Sequence, residues 1–366
     1  MPMWIADMEL ESPDFVVEAL KKRLEHPIFG YTADPDEYRP SIVKWEKDRH
    51  GWDIEEDWIA YIPGIVKGIG MALRALVKPG EKVVIQPPVY HPFRLVPQAC
   101  GINVEYNPLI ECEDGSLKMD LEGLRKLLSQ DKAIKLLILC NPHNPAGIVW
   151  DAETLKDLAS ICKEAGVTVI SDEIHCDMAL FGHKHIPFAS VSQEAAQISI
   201  TFAAPSKTFN VAGIVSSHAI VPDKELRERF FGWMESCELS DPDIFAPITT
   251  IACFSEKGEA WRKEMVSYLE GNILAAEEFC RERLPEIKPL RPQASFLIWL
   301  DCRALELSQK DLVKLFIDEA GLALNNGEDF GPGGSGHMRF NIGCPRSLMI
   351  KALEKLEEAV ARCCRR

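Results

Sequence analysis

The 366-residue sequence predicts an α/β fold: a three-layer domain around a mostly parallel sheet, with a smaller α+β domain contributed by the two chain ends. Two observations carry this. Short continuous apolar runs alternate with amphipathic helical stretches, the pattern of a sheet covered on both faces. Several chemistry-bearing residues fall just after the apolar runs, where open α/β sheets place their ligands. In order, Ser12-Pro13-Asp14 opens a helix to Leu24, with Ser12 as cap and Pro13 in the first helical position. A second helix follows Gly64 through Leu76 and stops at Lys78-Pro79-Gly80. The runs 83–85, 136–139, 167–170, 198–200 and 218–221 read as buried strands, with a helix over 151–165 among the segments that separate them. A long helix over about 258–284 bridges to the second domain. There 295–300 and 338–342 read as strands, 348–362 as a closing helix, and the glycine-rich 331–336 as a loop.

Composition narrows the function classes. A net charge of −15 argues against a nucleic-acid or anionic-membrane surface, which needs a basic excess. No apolar run approaches a membrane span, and Met1-Pro2-Met3-Trp4 lacks the layout of a signal peptide, so a cytoplasmic protein is expected. Twelve cysteines are scattered without a C-x-x-C pair, and the adjacent Cys363-Cys364 suit neither a metal nor a structural disulfide; all read as reduced thiols.

The most informative segment is Pro205-Ser206-Lys207-Thr208-Phe209-Asn210, which follows an apolar strand. A lysine there can hold an aldehyde cofactor, release it to an amino-acid substrate and then act as a base. Two companions lie upstream: Asn144 in Asn141-Pro142-His143-Asn144-Pro145-Ala146-Gly147, and Asp172 in Ser171-Asp172-Glu173-Ile174-His175. This ordered set resembles the fold-type I pyridoxal-phosphate enzymes of the class I/II aminotransferase family. The closer likeness is to its cystathionine β-lyase branch, C–S lyases of the cystalysin and maltose-regulon-modulator type. Further segments carry that likeness: Trp4-Ile5-Ala6-Asp7-Met8, Phe29-Gly30-Tyr31-Thr32, Pro87-Pro88-Val89-Tyr90-His91-Pro92-Phe93 and Met338-Arg339-Phe340.

The resemblance implies an aspartate-aminotransferase-like large domain over 29–262 and a discontinuous small domain from 1–28 and 263–366. It assigns Lys207 to the pyridoxal 5'-phosphate aldehyde and then to the α-proton, and Asp172 to the protonated pyridine nitrogen. Asn144 goes to the ring oxygen and toward the substrate carboxylate. Tyr90 lies over the ring face, and Arg339 grips the carboxylate, a task suited to a planar guanidinium. Ala6 shapes the substrate end of the pocket. Gly64, Ile65 and Val66 precede a helix, so their N–H groups can receive the phosphate, helped by Ser206. Tyr31 reaches that phosphate from a neighbouring subunit, which makes a homodimer with shared sites. His175 reaches the ring oxygen or serves as a structural histidine, and Lys67 either aids the phosphate or is solvated. Val215 departs from the transaminase pattern, which carries a phosphate-binding arginine eight residues past the lysine. Family members have an N-terminal arm ahead of this start, so either the start is truncated or the protein manages without one.

The reaction expected is α,β-elimination on cystathionine, cystine or cysteine-type substrates, yielding pyruvate, ammonia and a thiol. An aminotransferase shares the same residues and is the first alternative; a lyase with an added regulatory binding role is the second.

Overall fold

Alternating apolar residues along the strands send side chains to both faces of a central sheet, and each face is closed by helices. The computed structural model describes residues 1–363, so Cys364 lies outside the described residues. Its strands are β1 (Ile59–Ile62), β2 (Lys82–Ile85), β3 (Asn103–Tyr106), β4 (Ile110–Glu111), β5 (Leu117–Lys118), β6 (Ile134–Cys140), β7 (Thr168–Asp172), β8 (Ser199–Ala203), β9 (Ser217–Ile220), β10 (Lys288–Leu290), β11 (Leu297–Asp301), β12 (Asn325–Asn326) and β13 (His337–Asn341). The helices that matter below are α1 (Asp14–Leu24), α2 (Tyr38–His50), α3 (Ile65–Leu76), α4 (Pro92–Ala99), α5 (Leu121–Gln130) and α6 (Ala152–Ala165).

The large sheet runs β1-β9-β8-β7-β6-β2-β3. From β8 to β3 all neighbours are parallel, whereas β9 is antiparallel to both β8 and β1. The mostly parallel sheet expected from the sequence therefore contains one reversed strand. The reason is the connection: only a short helical turn at Ala212–Ile214 lies between β8 and β9, too little for the helical crossover that joins parallel neighbours. Val83, Ile85, Leu136 and Ile138 pack on one face with Ile69 and Leu73 of α3; Val84, Leu137 and Leu139 pack on the other with Leu124 of α5 and Leu158 of α6.

A second, antiparallel sheet, β10-β11-β13-β12, shares a core with the helix Glu256–Arg283 and the closing helix Arg346–Cys363, through Leu269, Ile273, Ile298, Phe340 and Leu353. The amino-terminal segment is divided: Met3 and Met8 join this core, but Val16 of α1 packs with Tyr38 and Trp45 of α2. Ser12 does not cap α1 as expected. Pro13 holds the cap position, and the Ser12 hydroxyl donates to the Asn210 carbonyl 2.9 Å away. A longer-range demand on the same residue has displaced a local one. By contrast, Asp151 caps α6 by accepting from Thr154 N–H, and Gly166 ends it at φ 68°. Every cysteine among the described residues is a free thiol. No helix of the described residues is long and apolar enough to cross a membrane.

Candidate active site

Strand register brings the motif residues together. Cys140, the last residue of β6, lies opposite Asp172, the last of β7, and Asp172 lies opposite Phe202 of β8, after which the chain turns into Pro205-Ser206-Lys207. Helix α3 starts at the same sheet end, directly after β1. A cavity of about 280 Å³ opens there, lined by Ala6, Gly64, Ile65, Val66, Lys67, Tyr90, Cys140, Asn144, Asp172, His175, Ser206, Lys207, Val215 and Ser217 among others.

Lys207 is largely buried, and its Nζ donates to the Ala6 carbonyl at 2.5 Å. Burial lowers its pKa, Arg339 lowers it further, and Asp7 and Asp172 oppose both. The amine is thus biased toward the neutral form that a nucleophile or base requires. Ala6 is held in reach by two asparagines. Asn210 Nδ2 donates to the carbonyls of Met8 and Leu10 while its Oδ1 accepts from Met8 N–H, and Asn341 Nδ2 donates to the carbonyls of Ile5 and Asp7. Neither asparagine was singled out from the sequence for this purpose, although Asn210 belongs to the lysine motif. Its φ of 53° is a backbone conformation that asparagine tolerates better than most residues.

Asp172 is buried without an ion pair. Among the described residues its Oδ1 accepts just the Ile174 N–H, and burial raises its pKa to about 7 despite Lys207 nearby. A buried carboxylate in this state is matched by a ligand that brings a protonated nitrogen. Arg339 mirrors it. The guanidinium is 3 % exposed, and its partners are neutral oxygens: Nη1 donates to Asn144 Oδ1 at 3.0 Å, and Nη2 donates to the Trp4 carbonyl at 2.7 Å and to Asn325 Oδ1. Its Nε is buried with no partner, its carbon lies 5.1 Å from the centre of the Phe330 ring, and burial lowers its pKa to about 10.

Since Asn144 Oδ1 is taken by Arg339, its Nδ2 is the group left for the cavity. The loop position is set by Cys140, whose Sγ accepts from Asn144 N–H at 3.3 Å and donates to the Pro142 carbonyl at 3.4 Å. Burial raises the Cys140 pKa, so it stays a thiol. His175 lines the cavity with its ring against Phe296 and its Nδ1 buried without a partner. Burial first, then Lys207 and Arg339, lower its pKa to about 3, which keeps it neutral.

Gly64 caps α3 at φ 105°, and no side chain caps the helix. The first-turn N–H groups of α3 therefore face the cavity uncapped, beside Ser206 and Lys67, a cradle for a dianion. Val215 lines the same cavity in the left-handed region at φ 34°, an uncommon conformation for a β-branched residue. Tyr31 is the predicted site residue that does not meet the others within one chain: it is fully exposed, as are much of Ile28 and Phe29, at 64 % and 60 %.

The family model for aminotransferase class I and II matches residues 5–356. The chain is 43 % identical to cystathionine beta-lyase PatB of Bacillus subtilis strain 168, over 99 % of this chain and 92 % of that protein. Among solved structures it is similar to cystalysin from Treponema denticola, which contains pyridoxal 5'-phosphate (TM-score 0.95, 35 % identity, 99 % of this chain and 91 % of the other). It is also similar to the PLP-bound C–S lyase from Staphylococcus hominis (TM-score 0.91, 34 % identity, 98 % and 93 % covered).

Proposed function

Because the chain belongs to the class I and II aminotransferase family, we propose that it is a pyridoxal-phosphate-dependent C–S β-lyase. Its substrates are L-cystathionine, cystine or cysteine-type amino acids, cleaved to pyruvate, ammonia and a thiol. The 43 % identity to a cystathionine beta-lyase favours the lyase, and the observation that carries the cofactor and amino-acid part of this reading is the pair of buried ionisable groups beside Lys207. Among the described residues neither Asp172 nor Arg339 has an ion-pair partner in contact, and an amino-acid substrate joined to a pyridine-bearing cofactor supplies one to each.

When bound, the cofactor supplies the electron sink that makes the substrate α-proton acidic enough to remove. The protein supplies the rest. Asp172 would hold a proton on the ring nitrogen, Asn144 Nδ2 would donate to the ring oxygen, and Tyr90 would pack on the ring. The α3 amino terminus, formed by Gly64, Ile65 and Val66, receives the phosphate together with Ser206. Arg339 pairs the α-carboxylate and sets the direction of the α-proton toward Lys207, whose lowered pKa suits it to take that proton. The neutral His175 completes the polar wall by the ring oxygen without adding a second positive charge beside Lys207. Loss of a β-thiolate then follows from leaving-group chemistry.

We place the protein in the cytoplasm, where its free thiols stay reduced. We further assign the large catalytic domain to 29–262 and the smaller one to the two ends. The active unit is a homodimer in which Tyr31 completes the partner's phosphate site; the exposed apolar run Ile28-Phe29 beside it supports a covered surface there. The test of the enzyme assignment is holoenzyme incubated with L-cystathionine alone. Stoichiometric pyruvate and thiol are expected, and their absence with cofactor bound contradicts the lyase reading.

A further inference from the structure

The aromatic wall that begins at Tyr90 continues into His91, whose imidazole has no part in the chemistry described above. The His91 ring centre lies 5.2 Å from that of Tyr90 and 6.3 Å from that of Phe330, meeting Phe330 edge-on at 79°. Phe330 in turn lies beneath the Arg339 guanidinium. The imidazole is therefore one ring removed from the cofactor face on one side and one ring removed from the carboxylate grip on the other.

The backbone around it is tightly held. Tyr90 N–H donates to the Asn144 carbonyl at 3.1 Å and Val89 N–H to the Phe330 carbonyl at 2.9 Å. The glycine loop packs on the same segment, where a Cβ added at Gly333 would meet Pro88 Cδ at 3.1 Å. His91 is thus fixed beside Tyr90, which lines the cavity.

Its two ring nitrogens differ. Nδ1 is buried without a hydrogen-bond partner, and Nε2, which is not buried, has none among the described residues. A half-buried imidazole packed on two rings but with no hydrogen bond among the described residues leaves its polar edge available to a ligand. The charged groups facing it are Arg339 and Arg94, with Asp329 opposing them. Burial and then Arg339 hold its pKa below the usual histidine value, so it meets a ligand as a neutral hydrogen-bonding ring.

Building on the lyase reading, we propose that His91 is a specificity-determining residue. It hydrogen-bonds the polar group carried beyond the β-sulfur and so favours S-substituted cysteines with an amino-acid or carboxylate tail over S-alkyl cysteines. The recognised chemistry is a hydrogen-bonding head on a chain several atoms from the α-carbon. Arg339 and Lys207 handle the end that both substrate types share.

The test compares wild type with His91→Ala and His91→Gln, reading kcat and KM separately for L-cystathionine and S-methyl-L-cysteine. One hydrogen bond to a charged head corresponds to a change of roughly ten- to a hundredfold. The ratio of kcat/KM for cystathionine over S-methylcysteine should fall by that factor in His91→Ala, mainly through KM, and recover in part in His91→Gln. A second readout needs no turnover: binding of L-2-aminoadipate and of L-alanine, followed by the change in cofactor absorbance, should show the same selective loss for the tailed ligand. An equal loss for both ligands, or no loss for either, overturns the proposal. A wild type that binds both ligands but releases no pyruvate defeats the lyase reading, while the binding ratio still decides the role of His91.

Discussion

Asp172 and Arg339 are buried without an ion-pair partner in contact among the described residues, and Asp172 has a measurable consequence in the cofactor-free protein. The Asp172 pKa is raised in the folded state, to about 7, so its favourable contribution is complete below the unfolded value near 4 and is lost as pH rises through 7. Cofactor-free Asp172→Asn should therefore gain stability relative to wild type between pH 5 and pH 8, by on the order of 1–3 kcal/mol at the upper end. The same variant in cofactor-loaded form should lose elimination rate by orders of magnitude. Thermal denaturation of the two apo-proteins across that range checks the first expectation, and a gap that shrinks with pH contradicts it. Lys207→Ala should lose turnover and the visible absorbance of lysine-bound cofactor together, and borohydride should no longer fix cofactor to the chain. Retention of a reducible linkage would place the attachment elsewhere. At this scale much was legible in the sequence, because Asn144, Asp172, Lys207 and Arg339 sit in segments whose wording is specific. Asn341, Asn325 and Cys140 were not assigned roles: Asn341 and Asn325 act through other segments, and Cys140 acts through the nearby loop by a thiol–backbone contact that its residue type does not advertise.

At the scale of elements, the sheet brings four loops to one end, and α3 begins there with uncapped amides, the anion site proposed above. Gly64 is the residue on which this depends. A Cβ there would find Val215 Cγ1 at 3.6 Å, an ordinary contact, so the cost of a side chain is conformational: φ 105° is a region that residues other than glycine rarely adopt. Gly64→Ala should shift the α3 amino terminus, weaken cofactor binding at least tenfold and cost about 1–3 kcal/mol of stability. Equilibrium dialysis of pyridoxal phosphate measures the first effect; unchanged affinity would mean that the α3 amides do not receive the phosphate. The buried strands β2, β6, β7, β8, β9, β11 and β13 and the long helix were readable from apolar runs and periodicity, while the short buried β1 was not picked out. Edge strand β3 was not, since Asn103 and Tyr106 are exposed and its polar residues give no continuous apolar run. The reversal of β9 also escaped notice, because strand direction is set by the connection rather than by the strand's own residues.

For the whole molecule, one chain presents nearly the entire site but leaves Tyr31 fully exposed beside Ile28 and Phe29. Mixing inactive Tyr31→Ala and Lys207→Ala proteins should restore part of the activity, since hybrid dimers contain one site with both residues intact. Subunit exchange proved by mass, with no recovery, would remove Tyr31 from the partner's site. The assignment as a lyase rests on the fate of the substrate after Lys207 has taken its α-proton. Val215 stands where the transaminase pattern has an arginine, and a β-thiolate leaves far more readily than hydride or alkyl. The most direct measurement sets two rates side by side on the same holoenzyme: pyruvate from L-cystathionine with no 2-oxo acid present, and glutamate from L-alanine with 2-oxoglutarate. Elimination should exceed transfer by at least tenfold, whereas glutamate forming faster than pyruvate would make the protein an aminotransferase.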